Sequence, residues 1–384
     1  METEQAHNNN VQWQKMKLGE VCVPSSEKYN PLTENLFQYC IEMENINQES
    51  GTLNGKSDIA KLLSLKTKFH KGEVLYGKLR PYLRKYWLAD FDGACSTEIW
   101  VLKNAENIDN RFLFYLFQSD SINKIANLSS GTKMPRADWK FMEKQEISIP
   151  FKNSKPDLPA QRRIAAILSS ADKVIASTQK VIAKYKQMKQ GLMEDLLKPK
   201  EGWKMVRLGD IGDFYVGGDV DKSCFSPYLT LECKYPIYAN ALVNEGLYGY
   251  SNKYEFDKEA VTITGRGDVG KVLYRKPYFS TIIRLVTLIP ADSNIDVKFL
   301  SYAMSRINFI IESTGVPQLT APQAKKYEVS IPYKEDKPDL IKQHRIAAIL
   351  SGIDAKIAAE EKVLEKYEKV KKGMMERLLN EKNE

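Results

Sequence analysis

The heptapeptide RIAAILS occurs twice in the chain, at Arg163–Ser169 and again at Arg345–Ser351. The match continues towards the carboxyl side, where GLMEDLL at Gly191–Leu197 corresponds to GMMERLL at Gly373–Leu379. From Ile164 to Leu197, about 19 of 34 ungapped positions are identical to those 182 residues further along. Self-similarity at a fixed offset marks an internal repeat, so the fold is expected to contain two copies of one long element.

Each copy of the repeat has the apolar spacing of a long helix with a narrow seam. The steps between apolar residues largely alternate between four and three, and this period of 3.5 residues is typical of a coiled coil. Asp157 and Asp339 precede the copies as expected N-caps. A narrow seam needs a partner helix, which the chain itself supplies, although each helix could instead only cap its own domain. The predicted seam comprises Ile164, Leu168, Ile175, Ile182 and Tyr185 in the first copy and Ile346, Leu350, Ile357, Leu364 and Tyr367 in the second.

The segments that precede the two helices share a frame but little of their contents. Each opens with Trp, at Trp13 or Trp203, followed after a short interval by a Leu-Gly-acid triplet, and each ends in the tripeptide SIP. Runs rich in β-branched residues between these marks predict strands, so the chain is expected to be α+β. In order, the predicted regions are an N-terminal β-rich domain (1–150), a central long helix with its linker (151–202), a C-terminal β-rich domain (203–332) and a C-terminal long helix (333–384).

Length and composition limit the class of protein. The 384 residues exceed one ordinary core, and 43% hydrophobic with 28% charged residues is the balance of a globular protein. No stretch approaches the roughly 18 apolar residues of a membrane span, and the N-terminus lacks the apolar core of a signal peptide. We therefore expect a cytoplasmic protein without membrane contact. Five cysteines without a CxxC pair and three scattered histidines predict neither disulfides nor a metal site.

The net charge of +8 suggests an anionic partner, but its distribution matters more than its size. Residues 151–202 hold eleven Lys or Arg residues against five Asp or Glu residues, so the central helix carries most of the excess. Part of it is expected to be neutralised within the molecule by the other helix. The lysines in question are Lys180, Lys184, Lys186 and Lys189, and the facing acids are Glu360, Glu361, Glu365 and Glu368.

The arrangement resembles the specificity subunit of Type I restriction–modification systems. The resemblance lies in the RIAAILS helices, their GLMEDLL and GMMERLL ends, and the Trp…Leu-Gly openings of two unlike domains, and it covers the chain after about residue 11. It implies that each β-rich domain is a target recognition domain for one half of a split site in double-stranded DNA. It also implies that the helices form an antiparallel coiled coil, which makes the chain a pseudo-two-fold repeat and sets the spacing of the domains.

The resemblance further implies a chain without catalytic residues or cofactors of its own. Two methyltransferase subunits would dock on it and methylate adenine with S-adenosylmethionine, and restriction subunits that use ATP and Mg²⁺ could then join. The residues agree, because no Pro-Pro is present for the loop that holds a flipped adenine. The nuclease-like pairs Pro156-Asp157 and Pro338-Asp339 lie at expected helix N-caps, and His344 is expected on a helix surface.

A basic stretch of the first domain, GKLRPYLRKYW at Gly77–Trp87, is a candidate DNA contact. It contributes Lys78, Arg80, Tyr82 and Arg84. Guanidinium groups suit phosphates and guanine edges, and tyrosine hydroxyls suit phosphates. The alternative is a solvated charged face without a ligand.

A Gly-containing loop before each SIP strand supplies four further candidates. GTKMPR contributes Lys133 and Arg136 in the first domain, and GVPQLT contributes Gln318 and Thr320 in the second. In the family that the chain resembles, this loop lies on the DNA-facing side. Gln318 could read an adenine edge, and turn chemistry is the alternative.

The segment GRGDVGKV at Gly265–Val272 satisfies GxGxxG and nearly satisfies a phosphate-binding Walker A loop. However, Lys271 is followed by Val rather than Ser or Thr, and the apolar VLY predicts a strand instead of a helix. We interpret the segment as a glycine-rich turn that presents Arg266 and Lys271 to DNA, with a purely structural turn as one alternative. Two other classes of function stay open: a nucleotide-binding enzyme that uses Gly265–Lys271, and a coiled-coil adaptor without DNA contact.

Overall fold

A computed structural model of the chain describes residues 12–128, 134–241, 243–310 and 318–379. By its internal contacts the chain forms two units. The first unit combines Met1–Gln179 with Lys362–Glu384, and the second is Lys180–Glu361. Each unit therefore joins one β-rich domain to a segment of each long helix.

The first β-rich domain and the long helix that follows it contain twelve described strands and five described helices. The strands are β1 (Gln12–Lys17), β2 (Cys22–Pro24), β3 (Lys28–Tyr29), β4 (Tyr39–Ile41), β5 (Ser57–Asp58), β6 (Lys66–Phe69), β7 (Val74–Gly77), β8 (Tyr86–Leu88), β9 (Gly93–Cys95), β10 (Ile99–Asn104), β11 (Glu146–Lys152) and β12 (Lys155–Pro156). The helices are α1 (Leu18–Val21), α2 (Asn110–Gln118), α3 (Asp120–Leu128), α4 (Trp139–Met142) and the long α5 (Leu158–Leu196).

The second β-rich domain has eleven described strands and ends in the other long helix. Its strands are β13 (Trp203–Arg207), β14 (Gly212–Val216), β15 (Phe225–Ser226), β16 (Tyr235–Tyr238), β17 (Leu247–Ser251), β18 (Ala260–Ile263), β19 (Val272–Arg275), β20 (Ser280–Thr281), β21 (Val286–Pro290), β22 (Glu328–Lys334) and β23 (Lys337–Pro338). Its helices are α6 (Leu208–Ile211), α7 (Val297–Met304), α8 (Ala321–Ala324) and the long α9 (Leu340–Leu379).

An antiparallel four-stranded sheet has the same topology in both domains. Its strand order is β2-β10-β7-β8 in the first domain and β14-β21-β18-β19 in the second. The inner strands β7 and β18 are buried at every residue. This explains why their sequences, VLYG and AVTI, lack the polar alternation of a half-exposed strand. A single loop joins β7 to β8, and its counterpart joins β18 to β19, so equivalent loops leave the same edge of each sheet.

The predicted frame of each domain is present, and the contents differ. The opening strand pairs with the SIP strand in both domains, so that Trp13 lies opposite Pro150 and Trp203 lies opposite Pro332. The remaining sheet is five-stranded in the first domain, with the order β3-β6-β9-β4-β5. In the second domain it is four-stranded, with the order β15-β17-β16-β20.

The two long helices form the predicted antiparallel coiled coil. Asp157 and Asp339 cap them, because their carboxylates accept hydrogen bonds of 3.0 Å from the third following N–H. In the first unit, the beginning of α5 and the end of α9 share one core through Leu168 and Leu379. In the second unit, the end of α5 and the beginning of α9 share another core, to which Leu350 belongs. The apolar face of each helix segment is thus covered by its own domain and by the other helix.

Burial along the helices follows the predicted seam at first and then departs from it. Ile164, Leu168, Ile182, Ile346, Leu350 and Ile357 are buried, and Ile175, Tyr185 and Leu364 are half-buried. Tyr367, in contrast, is 38% exposed, and the following residues Lys371 and Met375 turn towards the core. A straight α-helix has 3.6 residues per turn and drifts by about 20° per heptad from a 3.5-residue pattern. After three heptads the inward position has therefore moved by one residue.

Candidate nucleic-acid interface

The two hairpin loops carry an arginine at the same place. Gly77 pairs with Ile99 across the first sheet, and Ile263 pairs with Val286 across the second. Arg80 lies three residues after Gly77, and Arg266 lies three residues after Ile263. Both arginines are exposed. The two basic stretches predicted from the sequence are thus equivalent positions of one duplicated frame.

In the first domain, the β7–β8 loop is a stiff platform. Arg80 has a left-handed backbone with φ of 52°, and its N–H donates to the carbonyl of Pro135 over 2.7 Å. Tyr82 is 53% exposed on the turn that follows. The Lys78 carbonyl accepts from Ala137 N–H over 2.9 Å, so the loop is held on both sides by the segment after the Gly-containing loop. Lys133 lies outside the described residues.

Arg84 is turned inward rather than towards solvent. Its guanidinium donates to Asp120 Oδ1 over 2.6 Å and to the Gln118 carbonyl over 2.5 Å, with Glu49 3.8 Å away. The hydrogen bond from Arg84 lowers the pKa of Asp120 below its usual value. These contacts give Arg84 a structural role in fixing the loop against α3.

Arg136 also has a partner within the domain. Its Nε and Nη2 donate to the two carboxylate oxygens of Glu98 over 2.9 Å and 3.2 Å. Both side chains reach solvent, so the pair is an exposed two-pronged ion pair that an anionic ligand could exchange.

In the second domain, the β18–β19 loop meets the residues before α8. Arg266 donates from Nε and Nη2 to Gln318 Oε1 over 3.1 Å and 2.9 Å, and the Gly265 carbonyl accepts from Leu319 N–H over 2.8 Å. Lys271 is exposed at the far end of the same loop, where its N–H donates to the Thr264 hydroxyl over 2.9 Å. The Thr320 hydroxyl caps α8 together with Gln323, which is the turn chemistry left open from the sequence. Arg266 and Gln318 are thus in contact, and Lys271 belongs to the loop that carries Arg266.

The glycine-rich loop has the geometry of a turn rather than of a nucleotide site. Gly267 and Gly270 have φ of +68° and +85°, a conformation that glycine adopts without strain. Val272 then begins strand β19, so no helix N-terminus follows the loop to receive a phosphate.

Sequence reasoning missed a joint that attaches each domain to the helices. Gln161 is fully buried, accepting from Asp109 N–H over 2.9 Å and donating to the Asn107 carbonyl over 3.1 Å. Gln343 is its counterpart 182 residues later, with bonds of 3.0 Å to Asp296 N–H and to the Asn294 carbonyl. The repeat offset, combined with an amide inside an apolar helix face, was the available signal.

A second pair of equivalent contacts strengthens each joint. In the first unit, Asp172 accepts from the Tyr115 hydroxyl over 2.7 Å and lies 2.6 Å from Lys371 Nζ. In the second unit, Asp354 accepts from the Tyr302 hydroxyl over 2.6 Å and lies 2.6 Å from Lys189 Nζ. Burial, together with the adjoining carboxylate, raises the pKa of both tyrosines well above the usual value.

The charged side chains of the two long helices agree in part with the expectations from the sequence. Lys186 does pair with Glu361 over 2.8 Å, whereas Lys189 pairs with Asp354 instead of a glutamate. His344 is exposed on the helix surface, as expected, with Nε2 3.1 Å from Asp296 Oδ2. Arg162, its counterpart in the repeat, lies 3.4 Å from Asp109 in the same way. Both side chains therefore belong to the joints.

The described residues contain neither a candidate membrane-spanning helix nor a candidate metal site. No helix there is long and apolar enough to cross a bilayer. Within the same ranges, no three His, Cys, Asp or Glu side chains are grouped to hold a metal ion.

The molecule thus combines a duplicated frame, an antiparallel helix pair and, on each domain, an arginine-bearing hairpin loop, namely β7–β8 or β18–β19. The family model for the Type I restriction modification DNA specificity domain matches twice, at residues 10–187 and 200–369. The chain therefore belongs to the family of type I restriction–modification DNA specificity subunits, whose members recognise DNA sequence and are not themselves catalytic. This confirms the main expectation from the sequence and supports neither the nucleotide-binding enzyme nor the adaptor.

Individual relatives agree with the family match. A type I specificity subunit of Mycoplasma pneumoniae is 29% identical over 265 residues, covering 68% of this chain and 69% of the relative. The EcoDI specificity subunit of Escherichia coli is 27% identical over 194 residues, covering 48% of this chain and 41% of the relative. The crystal structure of a type I S subunit from M. genitalium has the same fold, with a TM-score of 0.65, 18% identity and 98% coverage of each chain.

Proposed function

We propose that each domain reads one half of a bipartite DNA site through its loop edge. The loop edge is the β7–β8 loop with residues 134–137 in the first domain, and the β18–β19 loop with residues 318–320 in the second. The observation that carries this proposal is the equivalent placement of Arg80 and Arg266 in a duplicated frame. Because the residues around the two arginines differ, the half-sites should differ, and the whole target should be non-palindromic.

The chemistry of the loop edges suits duplex DNA. A guanidinium can donate two hydrogen bonds to guanine O6 and N7, which is the task we assign to Arg80 and Arg266. Lys78, Tyr82 and Lys271 suit backbone phosphates, which position a protein without reading sequence. Arg136, Gln318 and Lys133 complete the set of candidates. Because few cations are involved in each domain, few counterions are released on binding, so we do not expect the isolated chain to bind non-specific DNA tightly.

The partners follow from the internal repeat. Two equivalent joints create two equivalent surfaces, and two copies of one partner can occupy such a pair. We assign these surfaces to two methyltransferase subunits, which would supply S-adenosylmethionine and methylate adenine. Restriction subunits using ATP and Mg²⁺ would join this complex, and the whole assembly would act in the cytoplasm.

The test is a domain replacement in the assembled complex. The chain is co-expressed with its cognate methyltransferase subunit, and methylated adenines are located by sequencing genomic DNA. Replacing residues 13–150 by the corresponding segment of a relative should change one half of the methylated motif and leave the other half intact. A change in both halves, or a wild-type methylome without a bipartite motif, would refute the proposal.

A matched variant tests the role of the helices. Inserting one heptad into the exposed middle of α5, with a compensating heptad in α9, should leave both half-site sequences unchanged and alter only the number of bases between them. An unchanged spacer would show that the helices do not set the distance between the readers.

A further inference from the structure

The connection between β20 and β21 contains a strained turn. Ile283 and Arg284 have φ of 51° and 58°, so two consecutive residues with side chains adopt the left-handed conformation. This region is unfavourable for L-residues and most of all for those branched at Cβ, such as Ile. Strain of this kind persists only where the surrounding structure enforces it, and it is concentrated at functional sites.

Hydrogen bonds to two neighbouring segments enforce the turn. Ile283 N–H donates to the Gly218 carbonyl over 2.8 Å, and Arg284 N–H donates to the Gly217 carbonyl over 2.9 Å. The Asn240 amide donates to the Ile283 carbonyl. Gly217 is essential to this approach, because a Cβ there would lie 2.6 Å from the backbone nitrogen of Ile282.

The turn adjoins the loop edge of the second domain. Asn240 accepts from Gly265 N–H over 2.7 Å while donating to Ile283, so its amide bridges the turn and the loop that carries Arg266. The Arg284 carbonyl lies only 3.3 Å from the position that a Cβ on Gly265 would occupy. The strained turn is therefore continuous with the surface of Arg266 and Gln318.

Both side chains of the turn are presented to solvent. Ile283 is 46% exposed, and the guanidinium of the exposed Arg284 has no hydrogen-bond or ion-pair partner among the described residues. The first domain has nothing similar at this place. Thr97 stands two residues before Ile99 as Arg284 stands two residues before Val286, and it lacks a positive φ. The neighbouring Glu98 is already paired with Arg136.

We propose that Arg284 is a specificity-determining residue of the second domain that reads a guanine edge in the half-site recognised by that domain. The fixed backbone sets where the side chain starts, and the planar guanidinium can donate two hydrogen bonds to guanine without first breaking a contact within the protein. Ile283 adds an apolar contact beside it. This inference rests on the function proposed above, namely that the loop edge of the second domain contacts DNA.

The experiment compares methylomes of the co-expressed complex containing wild type, Arg284→Lys or Arg284→Ala. Arg284→Lys retains the charge but not the planar fork. We expect it to relax one position of the second half-site, lowering discrimination there roughly 5- to 150-fold. The first half-site and the spacer should stay unchanged. The matched control is Arg207→Ala. Arg207 is an exposed arginine that pairs with Glu328 across β13 and β22, which belong to a different sheet from the one that carries the β18–β19 loop, so the motif of this variant should equal that of wild type.

Three outcomes would overturn the inference, and each differs from a failure of the proposed function. An unchanged motif with both variants would show that Arg284 reads no base. A uniform loss of methylation at all sites with the same motif would make Arg284 a phosphate contact. Relaxation of the half-site recognised by the first domain would show that Arg284 does not act in recognition by the second domain. If Arg284→Ala does not assemble, Arg284→Lys decides alone. A wild-type complex without a bipartite motif would instead refute the proposed function itself.

Discussion

The joints and the loop edges are both present twice, but only the joints are built twice from the same residues. Gln161 and Gln343 make the same two hydrogen bonds to equivalent backbone groups. The loop edges share the arginine that follows the inner strand but differ in their side-chain pairs, which are Arg136 with Glu98 in the first domain and Arg266 with Gln318 in the second. Residues that attach each domain to the helices are thus repeated, whereas most residues of the proposed DNA contacts are not.

This difference separates two requirements on one chain. A joint must place a domain on a helix pair that is itself repeated, so one solution serves both copies. A reader must fit its own base sequence, so the two solutions diverge. Paired substitutions should therefore have equal effects in the two joints and unequal effects at the two loop edges.

The largest effect on stability is expected from the buried amides of the joints. Gln161→Leu and Gln343→Leu would each leave one N–H and one carbonyl buried without a partner, at a cost of about 2–4 kcal/mol in the free energy of unfolding. Urea denaturation of the two variants should give losses of similar size. Gln190→Leu is the control, because Gln190 is exposed and makes only a 3.4 Å contact with Glu194. Unequal losses would show that the joints are not equivalent.

A smaller effect is expected from the ion pairs of the joints. Lys371→Met and Lys189→Met would leave Asp172 and Asp354 without their cation, at a cost of about 1–2 kcal/mol, since the carboxylates are partly solvated. Lys371 is 12% exposed and Lys189 is 28% exposed, so the first pair should contribute more. Double-mutant cycles with Asp172→Asn and Asp354→Asn measure each coupling. A larger coupling for Lys189 would contradict this ranking.

The Arg84–Asp120 pair should give a pH-dependent effect in the first domain. The pKa of Asp120 is lowered in the folded state, so its contribution is complete above the pKa of the unfolded chain and is lost as pH falls through the folded value. Because Asp120 is 46% exposed, Asp120→Asn should cost only about 0.5–1 kcal/mol at pH 7. Denaturation of wild type and variant at several pH values should show this difference shrinking below about pH 4. A difference that is constant with pH would exclude the ion pair as its cause.

The smallest effect on stability is expected at the loop edges. Arg80→Ala and Arg266→Ala remove exposed side chains, so thermal unfolding should change by less than about 0.5 kcal/mol. Methylome sequencing should nevertheless show relaxed recognition in one half-site for each variant, and in a different half for the two. Relaxation of the same half-site by both variants would contradict the assignment of one half-site to each domain.

The repeated elements were predictable because their signals are local. A seven-residue apolar pattern and an aspartate at each start define α5 and α9, and the inner strands β7 and β18 read directly as apolar runs. The carboxyl ends of the seams were less predictable, since a 3.5-residue count assumes an exactly supercoiled helix. The apolar spacing of Arg111–Asn127 is that of one helix, yet the structure has two, because Ser119 adopts an extended backbone between α2 and α3.

The loop edges could be predicted only as a set of residues. That Arg80 meets Pro135, or that Asn240 joins Gly265 to Ile283, depends on contacts between distant segments and on left-handed backbone positions. Arg84 shows the limit most clearly. In sequence it is one more cation of a basic stretch, and only the position of Asp120 and the Gln118 carbonyl turns it inward.

The burial of Leu379 in the core of the first unit has a consequence for biosynthesis. The first unit consists of Met1–Gln179 and Lys362–Glu384, so the ribosome translates all of Lys180–Glu361 before the end of α9 that completes the core of this unit. On the ribosome, the N-terminal domain therefore exposes an apolar face until α9 has emerged. The contact between them spans a very long sequence separation and forms slowly. A ribosome that stalls before α9 would release a chain whose first domain, although fully translated, is prone to aggregate.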